Sequence, residues 1–242
     1  MATTGLKSRK RRTEGGFFFR LARFLSKVII WFLVISVGMT AIYRFVPPPI
    51  TLTMLLDSNG FTKDWTPLSR IDRNMVGAAI AAEDGKFCSH DGFDRDAIEA
   101  AIERNATGGK LRGGSTISQQ TAKNVFLWQG EGWTRYLRKG LEAWFTVLIE
   151  FIWDKRRIME VYLNVAETGI GTYGVEKGAE RYYKKSAARL SRVEAARIAA
   201  ALPSPKKRGV TNPRGFTRRY GNTIAARIGV VRRDGLDACI YK

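Results

Sequence analysis

From Val28 to Tyr43 the chain runs through 16 uncharged, mostly apolar residues (VIIWFLVISVGMTAIY), whereas beyond residue 70 the apolar positions recur with the spacing of amphipathic helices. The uncharged run alone would rise only about 24 Å as a helix. Extended from Phe24 to Val46 it becomes 23 residues. That is about 34 Å, enough to cross a bilayer with Lys27 and Arg44 reaching toward the headgroups at its two ends. Pro47, Pro48 and Pro49 stop it. The later pattern predicts helices near residues 74–83, 94–106, 116–127, 135–153, 155–164, 174–184, 191–201 and 216–231. Thr51–Leu56 reads as a strand or an extended linker. The run AWFTVLIEFIW from Ala143 to Trp153 is too short for a second span and contains Glu150, so a buried core helix is predicted there. Gly-rich breaks at 108–109, 113–114, 130–132 and 169–174 mark loops on which a site can be built. The resulting plan is mostly α: a basic tail over 1–23, a transmembrane helix over 24–46, a linker over 47–69 and a globular domain over 70–242.

Charge assigns sides to this plan. Lys7, Arg9, Lys10, Arg11, Arg12, Arg20, Arg23 and Lys27 stand against a single Glu14 before the uncharged run, so the positive-inside rule puts the N-terminus in the cytoplasm and the domain outside. A cleaved signal peptide fits less well, because the region is long and no small-residue cleavage site follows it. The whole chain carries 41 Lys+Arg against 22 Asp+Glu, a formal charge of +19, with 45% hydrophobic residues. That excludes a disordered chain or an acidic scaffold and calls for an anionic partner. Nucleic acid, anionic lipid and a phosphorylated substrate all answer the call, but a domain outside the cytoplasm does not meet nucleic acid. Cys88 and Cys239 are the only cysteines and His90 the only histidine. This excludes a disulfide-dense scaffold and a cysteine-ligated zinc site. Pairing of Cys88 with Cys239 is open to an oxidising compartment, but nothing in the sequence favours it.

Three stretches carry candidate chemistry. In the first, an apolar helix ends in Glu83-Asp84, where negative charge is unfavourable against the helix dipole. Such a carboxylate is either a proton acceptor of raised pKa or a solvated helix end. Asp94 precedes RDAIEAAIERNA and reads as an N-cap. In the second, Gly113-Gly114-Ser115 leads into a helix start at which Thr116 and Gln119 fit a capping box, with Gln120 beside them and Lys123 one turn beyond Gln119. The free N–H groups, neutral donors and lysine can hold a phosphate; a plain capped helix would explain the glycines and Thr116 only. In the third, Arg138 and Glu142 stand four residues apart and by themselves read as a surface ion pair.

Taken together and in order, EDGKFCSHDGFD (83–94), GGSTISQQTAKN (113–124), RKGLE (138–142) and KRRIMEVYLN (155–164), followed by Gly171, Tyr173, Gly174 and AERYYKK (179–185), resemble the successive motifs of the peptidoglycan glycosyltransferase family over roughly residues 70–213. Only 29 residues follow Pro213, too few for a penicillin-binding transpeptidase domain, so the chain resembles a monofunctional, membrane-anchored member. The resemblance implies a lysozyme-like glycosyltransferase domain with a small membrane-proximal lobe behind one N-terminal transmembrane helix, on the periplasmic side of a bacterial inner membrane. It implies that the C4 hydroxyl of lipid II attacks C1 of the growing glycan, expelling undecaprenyl pyrophosphate with inversion. The implied partners are lipid II, undecaprenyl-pyrophosphate-linked glycan and inner-membrane lipid, together with cell-division or elongation proteins.

Residue by residue, Glu83 matches the family base and Glu142 its second carboxylate, which would place cations, order the acceptor or ligate a divalent cation (Mg or Mn). No organic cofactor is implied. Asp84, Ser115, Thr116, Gln119, Gln120 and Lys123 match residues that bind donor phosphates and sugars, and Arg138 and Lys139 residues that contact the acceptor pyrophosphate. The family's further phosphate-binding arginine falls near Arg135, about one residue out of register. Arg157 and Glu160 are candidates for the cleft wall, the Tyr162-Leu163-Asn164 stretch for structural work, and Phe126, Leu127, Trp128 and Trp133 for lipid contact. Two rival functions remain at this level: a lytic enzyme that cuts peptidoglycan, and a non-catalytic membrane-tethered scaffold that binds cell-wall polymer. The first leaves Lys123 and the Arg138-Lys139 pair without work.

Overall fold

A computed structural model describes residues 10–106, 114–130 and 132–241, without the side chains of 10–15 and 104–106. The predicted loop glycines Gly108, Gly109 and Gly113 and the tail residues Lys7 and Arg9 lie outside this range. The chain divides into two units, Met1–Ile42 and Tyr43–Lys242. Helix α1 spans Lys10–Phe45 and starts well before the predicted Phe24. Its Gly16–Phe45 stretch is 30 residues with mean hydropathy 2.1, long and apolar enough to cross a membrane. Nearly all its large apolar side chains are exposed, as a lipid-facing helix requires. This fits membrane anchoring.

The second unit is helical, in agreement with the sequence pattern: α3 (Arg73–Glu83), α4 (Arg95–Ala106), α5 (Ile117–Phe126), α6 (Thr134–Ile152), α7 (Lys155–Val165), α8 (Val175–Tyr183), α9 (Arg192–Ala201) and α10 (Gly215–Arg233). Thr51–Leu56 is not extended. Thr51 accepts from the Met54 N–H and caps a single turn, α2 (Leu52–Leu55). Three short strands, β1 (Thr62–Lys63), β2 (Glu167–Gly169) and β3 (Thr172–Tyr173), form a sheet in the order β1-β3-β2, parallel between β1 and β3 and antiparallel between β2 and β3.

Two helix groups build the core. In one, α3, α9 and α10 pack together. The alanines of α9 are buried without gaps, and Gly77 lets Ile228 approach so closely that a methyl group there would lie 3.3 Å from it. In the other, α5 packs against both α6 and α7, with Phe126 stacked on Phe145 at 4.3 Å. The 143–153 run forms the C-terminal half of α6 and its cap, and the expected burial holds for one face only: Phe145, Leu148 and Ile149 are buried, whereas Val147 and Phe151 are exposed. Asn164 ties α7 to the segment before α3 by accepting from the Thr66 N–H (2.8 Å) and donating to its carbonyl (2.9 Å).

Cys88 and Cys239 form a disulfide, which the sequence did not favour. The fold closes the 151-residue separation by bringing the C-terminal segment beneath the turn that follows α3. Arg73 holds Asp237 through two bonds of 2.8 and 2.9 Å, and Arg156 donates to the Ile240 carbonyl, fixing the same segment.

Candidate active site

Glu83 is the last residue of α3 and Asp84 its C-cap. Glu83 Oε2 accepts a 2.7 Å hydrogen bond from Gln120 Nε2 on α5, while Oε1 is buried and accepts none among the described residues. Burial pushes the Glu83 carboxyl above its ordinary value, against the Gln120 bond and the charges of Arg208 and Lys123, which lower it; Asp84 adds to the rise. A carboxylate stripped of water, with one oxygen unengaged, takes a proton more readily than a solvated one. The sequence alternative of a solvated helix end does not hold.

Asp84 is 6% exposed and has a different task from the substrate contact expected of it. Its oxygens accept from His90 Nε2 at 2.9 and 3.1 Å and from the Ile117 N–H, at the start of α5, at 3.0 Å. Because the Gly92 N–H donates to His90 Nδ1 (3.1 Å), the ring proton sits on Nε2 and points at Asp84. Asp84 thus braces the start of α5, where a negative charge complements the free N–H groups. Thr116 and Gln119 are likewise structural. Thr116 Oγ1 accepts from the Gln119 N–H and donates to the Gly92 carbonyl at 2.6 Å, and Gln119 Oε1 accepts from the Thr116 N–H at 3.0 Å. Gly92 has φ +87°, and a Cβ there would meet Thr146 at 2.7 Å, so only glycine fits.

The remaining predicted residues converge. Glu142 is 3% exposed and lies 2.5 Å from Lys139 Nζ and 3.7 Å from Arg138 Nη1. Burial lowers the Lys123 ammonium, and Arg138 and Lys139 lower it further, while attraction to Glu142 and Glu83 raises it. Lys123 thus lies within electrostatic reach of both carboxylates and makes no ion pair of its own among the described residues. Ser115 Oγ accepts from Lys139 at 3.4 Å. The buried Nε of Arg138 has no hydrogen-bond partner among the described residues. Three cations around one buried carboxylate leave positive charge available to an anion. Arg135 is exposed and makes none of these contacts.

Alongside lies a cleft of about 370 Å³ lined by Gln120, Lys123, Asn124, Gln129, Tyr162 and Glu167, and by the turn Leu202–Lys207 after α9. Tyr162, buried, donates to Gln120 Oε1 at 3.5 Å and so backs the residue that holds Glu83. Sequence reasoning missed Glu167, Lys206 and Arg208, which belong to no motif it singled out; LPSPKKR after a helix was the one available sign. Arg157 and Glu160 do not line the cleft. Arg157 binds the carbonyls of Tyr43 and Val46 and pairs with Glu160, which accepts from the Leu68 N–H. Phe126 and Leu127 pack into the core and are not free for lipid; Trp133 is 76% exposed.

Among the described residues no group of three His, Cys, Asp or Glu suited to a metal occurs, and the oxygens of Glu142 face Lys139 and Arg138, a setting that disfavours a divalent cation on this carboxylate.

A helical domain with a desolvated carboxylate beside a cation cluster is what a glycosyl transfer to a hydroxyl, with a diphosphate leaving group, demands. The chain belongs to the Transglycosylase family, whose model matches residues 51–228. Among curated relatives, the biosynthetic peptidoglycan transglycosylase of Caulobacter vibrioides is 49% identical over 232 residues, covering 93% of this chain and 99% of the relative. Those of Rhodospirillum centenum (46% over 225 residues, covering 91% and 96%) and Pseudomonas entomophila (47% over 222 residues, covering 88% and 90%) are similar.

Proposed function

We propose that the chain polymerises the glycan strands of peptidoglycan from lipid II, by inverting transfer of the growing chain from undecaprenyl pyrophosphate to the C4 hydroxyl of lipid II. The observation that carries this reading is that buried Glu83, with one oxygen unengaged among the described residues, stands in the same site as Glu142, which Lys139 meets at 2.5 Å and Arg138 at 3.7 Å. Gln120 holds Glu83 by Oε2, leaving Oε1 to take the proton of the C4 hydroxyl. The O4–C1 bond forms as the C1–O(phosphate) bond breaks, and the electron pair leaves with the diphosphate. Lys123 and the Ser115 hydroxyl stabilise that charge, so the leaving group departs without a proton and one base suffices. Arg138 and Lys139, fixed by Glu142, hold the diphosphate of the acceptor. A lytic reading would need a protonated acid at the glycosidic oxygen and gives the cation cluster no work.

The domain lies on the periplasmic side of the inner membrane, with the N-terminus in the cytoplasm. The basic residues that precede the uncharged run Val28–Tyr43 support this orientation, and so does a disulfide in the Tyr43–Lys242 unit, since such bonds persist in oxidising compartments. Exposed Trp133, Leu137, Val147 and Phe151 along α6 support contact of that face with lipid. Detergent-solubilised full chain incubated with lipid II should yield polymeric glycan and undecaprenyl pyrophosphate. No polymer, or shortening of added cell-wall glycan, would overturn the reading.

A further inference from the structure

The cleft has a second wall, which the reaction above leaves unused. Strand β2 brings Glu167 to it, and the turn after α9 brings Ser204 and Lys206. Lys206 Nζ lies 3.2 Å from Asp57 Oδ2 and 3.6 Å from Glu167 Oε1. Asp57 is itself fixed by the Tyr173 hydroxyl at 2.8 Å. Glu167 Oε1 is buried, and the Lys206 ammonium faces it at 3.6 Å, an ion pair longer than a good hydrogen bond. A desolvated carboxylate oxygen held only by so long a pair gains from a closer donor that a ligand supplies. Burial raises the Glu167 carboxyl accordingly, against the nearby Lys206 charge. Lys206 is matched by Asp57 and Glu167, so it offers a diphosphate less free charge than Lys123 does. The carboxamides of Gln120 and Asn124 and the Ser204 hydroxyl beside it are groups that read a sugar.

We propose that Glu167 and Lys206 form a sugar-binding subsite, in which Glu167 accepts a hydrogen bond from a hydroxyl or acetamido N–H of an N-acetylated hexosamine of the glycan substrate and Lys206 donates to an oxygen of the same ring. The subsite rests on the proposed function for the identity of that glycan. Its residues bind and position; they take no proton in the transfer.

The test is steady-state polymerisation of lipid II by the detergent-solubilised full chain, with Glu167→Ala, Glu167→Gln and Lys206→Gln compared with wild type and each variant's melting temperature recorded. For Glu167→Ala we expect KM to rise roughly tenfold, the loss of one charged hydrogen bond, with kcat within about threefold. Glu167→Gln, which keeps an acceptor oxygen, should rise less, and Lys206→Gln should move KM in the same direction. An unchanged KM, a loss confined to kcat, or a fall in melting temperature at constant KM would overturn the subsite. Should Glu167→Ala fail to fold, the near-isosteric Glu167→Gln and Lys206→Gln decide by the same KM criterion. Failure of the wild type to polymerise would instead refute the proposed function.

Discussion

Replacing Cys239 by Ser removes the cross-link to Cys88 without touching the cleft. The bond closes a loop of about 151 residues. In the chain-entropy description the unfolded state then regains about 17 cal/mol/K, or about 5 kcal/mol at 25 °C. In a unit of this size each kcal/mol moves the melting temperature by roughly 2–4 °C, so a fall of about 10–20 °C is expected. The folded state changes little, because the Arg73–Asp237 pair and the Arg156 bond to the Ile240 carbonyl still hold the segment. At 25 °C, therefore, kcat should stay within about threefold of wild type. The assay is a melt of the detergent-solubilised chain with and without a phosphine reductant, run beside the polymerisation assay. Wild type under reductant should melt with Cys239→Ser, and Cys239→Ser should ignore the reductant. A variant melting within about 2 °C of oxidised wild type would refute the reasoning, as would one that keeps its melting temperature and loses activity.

Further outcomes follow from the site. Glu83→Gln should lower polymerisation by about 10²–10⁴-fold. It should not lower the melting temperature at pH 7: with a carboxyl raised in the folded state, stability is full below the ordinary value of 4.5 and is lost as pH rises through the higher folded value, whereas glutamine stays neutral. A less stable variant at pH 7 would contradict this. For the same reason the acid limb of kcat/KM against pH should reach half-height above 4.5; a midpoint below it would remove Glu83 as the base. Lys123→Ala should lower kcat by about 10²–10³-fold, and an effect on KM alone would place the lysine away from the developing charge. Asp84→Asn, which offers one acceptor oxygen where His90 and the Ile117 N–H now use two, should cost about 2–3 kcal/mol in urea unfolding, and equal stability would refute its bracing role.

The helices were legible by their 3.6-residue apolar period, and several also by a marked start. Asp94 accepts from the Ala97 N–H as its position announced, and Thr116 with Gln119 makes the capping box that their spacing described. Strands of two or three residues carry too little alternation to be read, so β2 and the Glu167 it delivers went unseen. Thr51 looked extended because a threonine before leucines fits a strand as well as a cap; only its bond to Met54 separates the two. Pairing of Cys88 with Cys239 depends on where the chain returns, which local spacing does not encode. In the site, residue types announced the carboxylates and cations, but not the division of labour between them. Asp84, Thr116 and Gln119 sit in the motifs as polar as Gln120 and Lys123, and only burial and bonding separate those that brace from those left open to the cleft.

Because Asp84 reaches the first amide of α5, and Thr116 reaches back to the Gly92 carbonyl, Glu83 and its neighbouring Lys123 ride on one bolted piece. Their spacing is set by bonds within the fold. Evolution can therefore retouch either segment only in step with the other, and a chimera that imports residues 83–94 from a distant cousin without the matching helix would inherit both halves of the machinery and the alignment of neither.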